Sequence, residues 1–111
     1  HMPNGKFPQR AAKNLGFSEK QIEKSLVVKT LGNSYAASSF MGLCSVLDTA
    51  RKDDLILLVS YGSGAGSDAI VLRATHLLTR KRRNMQKQLS RKKYISYTEY
   101  LRMMEFLYTK D

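Results

Sequence analysis

The 111-residue chain has 42% hydrophobic, 25% charged and 9% aromatic residues, with no tryptophan and one cysteine, a composition that fits one ordinary globular domain. No apolar run approaches the roughly 20 residues needed to span a bilayer, no secretion-signal pattern opens the chain, and the lone Cys44 excludes both a disulfide framework and a cysteine-based zinc site. Nineteen Lys and Arg against nine Asp and Glu give +10, which favours a polyanionic partner such as nucleic acid, anionic lipid or a phosphorylated cofactor; the cytoplasm is the expected compartment.

In chain order, Phe7, Ala11, Ala12 and Leu15 recur at helical spacing, and Gly16 stands where a left-handed residue would end the helix. Ser18-Glu19-Lys20-Gln21 has the form of a capping box, which predicts a second short helix running towards Lys24. Ser25 to Leu31 reads as a strand, broken by Gly32-Asn33-Ser34. Tyr35 to Arg51, rich in small and apolar residues, reads as a well-buried helix. After a turn at Asp53-Asp54, the almost wholly apolar run Leu55 to Tyr61 reads as a central strand covered on both faces. Gly62 to Ser67 is a tight glycine turn, and Ala69 to His76 alternates like a third strand.

Beyond it, Arg80 to Lys93 holds eight basic residues and no acid and reads as a basic surface segment. Tyr97 to Tyr108 resumes a helical pattern. Residues 1–78 carry nine basic and six acidic residues, net +3, whereas residues 79–111 carry ten and three, net +7. The expected organisation is therefore an α/β unit over 1–78 and a basic, mainly helical tail over 79–111. Three strands and a few short helices barely supply the neighbours that so apolar a central strand needs, so the expectation is the last part of a larger enzyme, or one subunit of a split one.

Several motifs have plain structural readings. Gly62 to Ser67 lacks the last glycine and the following helix of a dinucleotide loop, so it reads as a hairpin turn. Cys44 lies in an apolar helical stretch with no His, Lys or Arg at i±3 or i±4 to lower its pKa, and is expected to pack in the core. His76 has no carboxylate or cysteine beside it and is assigned no role. The basic run and Tyr94, Tyr97 and Tyr100 could serve a nucleic-acid-binding module, but cations and aromatics are segregated rather than interleaved, which favours a solvated or partner-facing helix.

The front of the chain carries the chemistry. His1 stands on a Pro-containing loop, Lys6 and Arg10 on the first helix, Asn33 at a strand-to-helix corner and Ser63 in the glycine turn. An acid/base, an amide able to hold a carbonyl, a hydroxyl and two phosphate-seeking cations suit a coenzyme A thioester. His-x-Pro-Asn-Gly-Lys-Phe-Pro, Gly-Asn-x-Tyr-x-x-Ser-Ser and Val-Ser-Tyr-Gly-Ser-Gly-Ala-Gly-Ser-Asp-Ala, in that order, resemble the C-terminal part of hydroxymethylglutaryl-CoA synthases of the archaeal type, members of the thiolase superfamily. The resemblance spans the whole chain but only about the last third of such a synthase, and the Arg-Lys-Lys-Tyr-Ile-x-Tyr stretch at 91–97 is also similar to that family's end.

The resemblance implies an αβαβα thiolase-like fold, of which this chain covers most of the C-terminal half. In the family, acetyl-CoA acylates a cysteine, a glutamate removes a methyl proton, and the carbanion condenses with acetoacetyl-CoA to give 3-hydroxy-3-methylglutaryl-CoA after hydrolysis, a step of the mevalonate route to isoprenoids. The resemblance places His1 at the catalytic histidine, Lys6 and Arg10 at CoA-binding positions, and Asn33 and Ser63 at positions that contact the acyl part of the substrate. Coenzyme A thioesters are then substrates, with no separate cofactor and no metal. Cys44 does not match the nucleophile, which with the glutamate belongs to the N-terminal part, so the isolated chain is expected to be inactive. The expected partners are that N-terminal part, a complex with acetoacetyl-CoA thiolase and an OB-fold bridging protein, and further copies when complete. Ala36-Ala37 stands where the family more often has a small hydroxyl residue followed by glycine, and Met2 where it commonly has glutamine. A leading His-Met is also the form of an expression remnant, so two origins for His1 stand side by side. Ketoacyl synthase III, thiolase, a non-catalytic CoA-binding subunit and a basic nucleic-acid module are the alternatives.

Overall fold

The computed structural model describes residues 4–62, 64–81 and 84–106. Helix α1 (Lys6–Asn14) begins where Asn4 Oδ1 accepts the Lys6 N–H at 2.9 Å. It ends as its sequence predicts. Gly16 adopts φ +85°, and the Gly16 and Phe17 N–H groups return to the Lys13 and Ala12 carbonyls at 3.0 and 2.9 Å, a double bond pattern that satisfies the last carbonyls of the helix. Helix α2 (Glu19–Ile22) follows, with the Gln21 Oε1 accepting from the Ser18 N–H and hydroxyl, both at 2.9 Å. A 3-10 turn over Glu23–Ser25 continues it.

Residues 25–31 do not form the strand that their apolar, β-branched sequence predicts. Val28–Leu31 is a single helical turn, α3, with the Leu31 and Gly32 N–H groups donating to the Val27 and Val28 carbonyls at 2.9 Å. The reason is the absence of a partner: among the described residues only two strands exist, and they pair with each other. A segment without a neighbouring strand must satisfy its backbone groups locally, and a helical turn does so. Leu26, Val27 and Val28 are buried in this form.

The segment from Tyr35 divides into a 3-10 turn (Tyr35–Ala37) and helix α4 (Ser38–Leu47). Its buried face consists of Ser38, Ser39, Gly42 and Ser45, rather than the apolar residues. A Cβ on Gly42 would lie 3.0 Å from the Ser25 carbonyl oxygen, so the absence of a side chain there lets α4 lie directly on the preceding turn. Phe40 and Cys44, expected inside, are exposed. The polar small residues win the inner face because only they fit the short separation.

Strands β1 (Leu55–Tyr61) and β2 (Ser67–Arg73) form one antiparallel hairpin, in register from Leu55 opposite Arg73 to Tyr61 opposite Ser67. Two strands, not three, are therefore found among the described residues. The wide end is tied by Asp53 and Ala74, whose N–H groups donate to the Ala74 and Asp54 carbonyls at 2.8 and 2.9 Å. The alternate face carrying Leu55, Leu57, Val59, Tyr61 and Val71 is open, Leu55 being 63% and Val71 67% exposed. The expected cover on both faces of β1 is thus met on one only, where Ser60 Oγ approaches Ser39 Oγ of α4 at 3.5 Å.

The basic run contains α5 (Leu78–Lys81) and α6 (Met85–Leu89), while Asn84 and Ser90 to Lys93 lie outside helices, and α7 (Tyr97–Met103) follows. Helix α6 is docked: Met85 is buried and its N–H donates to the Asp48 carboxylate at the end of α4. No described helix is long and apolar enough to cross a membrane. The radius of gyration is 17.1 Å, against about 13 Å for a compact chain of this length. Among the described residues, the buried apolar ones are Leu26, Val27, Val28, Ala50, Ala74 and Met85, a small core.

Helix α7 carries a complete capping box. Ser96 Oγ accepts the Glu99 N–H at 3.2 Å and Glu99 Oε2 accepts the Ser96 N–H at 2.7 Å. The Ser96 backbone bond, and then the side-chain bond, hold the Glu99 carboxyl below its ordinary value of 4.5. A carboxyl with a depressed folded pKa contributes helix stability above its unfolded pKa and loses it as pH falls through the folded one. Acidification below about pH 4 should therefore fray α7 from its N-terminus. The check is an amide titration by NMR: the Ser96 resonance should move with a midpoint below 4.5 and stay still in Glu99→Gln.

Candidate functional site

Among the described residues, Lys6 and Arg10 lie on α1, and Asn33 follows α3, whose Val28 and Lys29 reach Gly5 at the head of α1. Lys6 and Arg10 are one turn apart on α1 and share its exposed face, which has no acidic residue. The opposite face of α1 presents Phe7, Ala11 and Leu15 to an apolar groove. At the head of the helix, a Cβ on Gly5 would lie 3.5 Å from Lys29 Cε and 3.7 Å from Val28 Cγ1. Helix α3 therefore abuts the start of α1, and Lys29 joins Lys6 as a second cation at this point. Sequence reading missed Lys29, because a strand assignment for 25–31 gave it no relation to α1.

Asn33 follows directly. Gly32 ends α3 at φ +75°, ψ −168°, a combination essentially confined to glycine, and this turns the chain sharply into the corner. The Asn33 Oδ1 then accepts the Tyr35 N–H at 2.9 Å and the Ser38 hydroxyl at 3.3 Å. Tyr35 sits at φ +50°, a left-handed position held by these bonds. Asn33 is half-buried. Cations and amide are thus placed by short-range turn chemistry on α1, α3 and the start of α4.

The glycine turn lies alongside through the Ser39–Ser60 approach at 3.5 Å. Its closure is local: the Gly62 N–H donates to the Gly66 carbonyl at 3.2 Å, with Gly64 and Ala65 at φ +97° and +59°. A hairpin turn, not a dinucleotide loop, is what the structure shows. His1 and Ser63 lie outside the described residues. His76 is exposed in the turn after β2, and among the described residues no three His, Cys, Asp or Glu side chains gather as metal ligands.

An apolar groove of about 510 Å3 lies between α1 and α2 on one side and α4 and β1 on the other. It is lined along β1 from Leu55 to Val59 and at Tyr61, but by no residue of β2. It therefore follows the edge of β1 that has no strand partner.

Residues 1–74 match the family model described as 3-oxoacyl-[acyl-carrier-protein] synthase III C terminal. Curated relatives span nearly all of the chain. It is 51% identical over 104 residues to the hydroxymethylglutaryl-CoA synthase of Archaeoglobus fulgidus, covering 92% of this chain and 30% of the relative. It is 43% identical over 110 residues to that of Methanopyrus kandleri, covering 96% and 31%, and 44% identical over 115 aligned positions to that of Picrophilus torridus, covering 100% and 33%. The chain thus spans about a third of the length of these relatives. It belongs to the 3-oxoacyl-[acyl-carrier-protein] synthase III C-terminal family, and its mixed helices and hairpin are part of a thiolase-like α/β fold.

The corner depends on Gly32. Gly32→Ala should cost about 1–3 kcal/mol through backbone strain and lower the thermal midpoint. Gly62→Ala, where an added Cβ meets nothing within 4 Å, should leave the midpoint within a degree or two of the parent.

Proposed function

We propose that this chain supplies the second half of a hydroxymethylglutaryl-CoA synthase, and that with its N-terminal complement it condenses acetyl-CoA and acetoacetyl-CoA. The observation that carries the reading is Lys6 and Arg10 on the acid-free helix α1, whose head meets Lys29 of α3, the helix that leads into the turn holding the Asn33 amide. Lys and Arg recognise the phosphates of coenzyme A through charge-assisted hydrogen bonds. The adjacent amide is suited to the acyl carbonyl. The 51% identical relative bears the same activity in its name.

In this reading a cysteine of the N-terminal part attacks the acetyl-CoA thioester and releases the CoA thiol. A glutamate of that part removes a proton from the acetyl methyl group. The resulting carbanion adds to the ketone of acetoacetyl-CoA, whose oxygen becomes an alkoxide and takes a proton from His1. Water then cleaves the acyl-cysteine bond, returning the thiol and releasing 3-hydroxy-3-methylglutaryl-CoA for the mevalonate route in the cytoplasm. Asn33 and Ser63 contact the acyl part. Coenzyme A enters as substrate, and the scheme calls for no further cofactor. In this reading the basic tail over 79–111, rather than the site, meets an acetoacetyl-CoA thiolase and OB-fold bridging protein.

The N-terminal part would dock along the open edge of β1. A two-stranded hairpin is marginal alone, an apolar open edge is a ready template for a further strand, and the groove beside it is already lined by α1 and α4.

Two outcomes check the reading. Mixing the chain with a separately expressed N-terminal part should restore acetoacetyl-CoA consumption in the presence of acetyl-CoA, and His1→Ala should abolish it. Lys6→Ala combined with Arg10→Ala should raise KM for the CoA thioesters by about tenfold, since each exposed charge contact is worth up to about 1 kcal/mol. No activity from the parent mixture would sink the assignment. Separately, Leu57→Asp, which places a charge on the groove lining, should abolish co-elution with the N-terminal part on size exclusion. An unchanged elution would move the docking surface elsewhere.

A further inference from the structure

We infer that α7 is a preformed docking helix, which lays a stripe of Tyr97, Tyr100, Leu101 and Met104 into an apolar cleft with an acidic rim on a partner protein. The choice of that protein rests on the reading that the tail meets an acetoacetyl-CoA thiolase and its OB-fold bridging protein.

The helix is closed at both ends by its own neighbours. Ser96 and Glu99 cap its start. At its end the Phe106 N–H donates to the Leu101 carbonyl at 2.9 Å and the Glu105 N–H to the Arg102 carbonyl at 3.0 Å, the paired bonds of a Schellman motif. Glu105 stands at φ +58°, a left-handed position unfavourable for a residue with a Cβ. So short a helix is marginal in water without support, yet no other described element packs substantially against α7. Its ends, and not its packing, hold it helical.

The stripe has the spacing i, i+3, i+4 and i+7 by which an amphipathic helix enters a groove, while Thr98, Glu99 and Arg102 fall on the other side of the helix. It is uncovered, with Tyr97 73%, Tyr100 43% and Met104 50% exposed. Tyr97 and Tyr100 stack with centroids 6.1 Å apart and planes at 23°, so two anchor rings are already ordered and less freedom is lost on docking. Tyrosine and methionine are also enriched where proteins meet. Just ahead of the helix, Arg91, Lys92 and Lys93 are exposed, with Lys92 Nζ 4.8 Å from the Tyr94 ring centroid. A cleft that receives the stripe meets these cations at its border, and carboxylates there complement them.

Two other occupants fit less well. The apolar groove of a second copy adjoins a cavity lined by Lys20 and Lys24, which would set like charges against the tail. A nucleic acid could stack on the tyrosines, but stacking leaves Leu101 and Met104 without a role. The family model ends at residue 74, whereas the match to the Picrophilus torridus synthase covers the whole chain. Helix α7 thus lies outside the family-wide part and inside the part matched by a synthase, as a contact particular to synthases requires.

The test titrates the full chain into the purified thiolase with its bridging protein and reads Kd by calorimetry, with the NMR dispersion of the β1–β2 amides confirming that each variant is folded. Tyr97→Ser combined with Tyr100→Ser should weaken binding by about thirtyfold, the effect of losing hot-spot anchors, whereas Thr98→Ala on the far side should leave Kd within about twofold. Ser96→Ala, which loosens the cap and keeps the stripe, should weaken binding by about threefold to fivefold. A parent chain that does not bind overturns the inference, and so does an unchanged Kd in the tyrosine pair. Tyrosine-dependent binding to oligouridine or to phosphatidylglycerol vesicles, with none to the proteins, would assign the stripe to a nucleic acid or a lipid surface instead. Slower hydrogen exchange at the Leu101 and Met104 amides on adding the N-terminal part alone would put the stripe inside the enzyme and also overturn the inference. None of these measurements uses catalysis, so an inactive mixture with the N-terminal part, which defeats the synthase reading, is told apart from failure of the docking helix.

Discussion

The structure depends on one asymmetry: among the described residues, β1 has a hydrogen-bonded neighbour on one edge and none on the other. Backbone polar groups must be paired or hydrated, so everything beside that edge is arranged around the lack of a strand. The groove follows it, and α1 and α2 line the groove's far wall with apolar side chains rather than closing on β1. The segment 25–31 takes a helical turn because no strand is available to pair with it.

The candidate site is built in the opposite manner. Asn33 is oriented by Tyr35 and Ser38, within five positions of it in sequence, and the head of α1 is set by Asn4, two residues from the N–H it accepts. Such bonds need no loop closure and little core, so they form even where the apolar surface is left uncovered. A local corner can be pre-organised inside a domain whose packing is otherwise sparse.

This division explains what the sequence made legible. Helix α1 and its ending at Gly16, the Ser18 and Gln21 cap, and the run Leu55 to Tyr61 were all readable, because each signal is periodicity or a turn residue acting on its own neighbours. The failures are nonlocal. Leu26-Val27-Val28 is the same short apolar run whether it pairs as a strand or coils as a turn, and only a partner strand decides between them. Helix α4 was rightly placed, but its inner face was not, since Gly42 approaching the Ser25 carbonyl selects serines over Phe40 and Cys44. Lys6, Arg10 and Asn33 were singled out by residue type and motif. Lys29 was missed because its neighbour, Gly5, is distant in sequence.

The two basic regions of the chain are electrostatically distinct. Asn33 meets α4 at its first residue, Ser38, whereas the basic tail is fastened at the other end, where the Met85 N–H donates to Asp48. Ten helical residues separate those points, about 15 Å at the rise of an α-helix. The Debye length at physiological salt is about 8 Å, so the point where the tail is fastened lies nearly two Debye lengths from the corner. In the proposed reading, phosphate recognition there rests on Lys6, Arg10 and Lys29, which belong to the part of the chain with the smaller excess, +3 of the total +10. The larger excess in the tail acts on whatever meets the far end of α4, and its strength need not track that of the site.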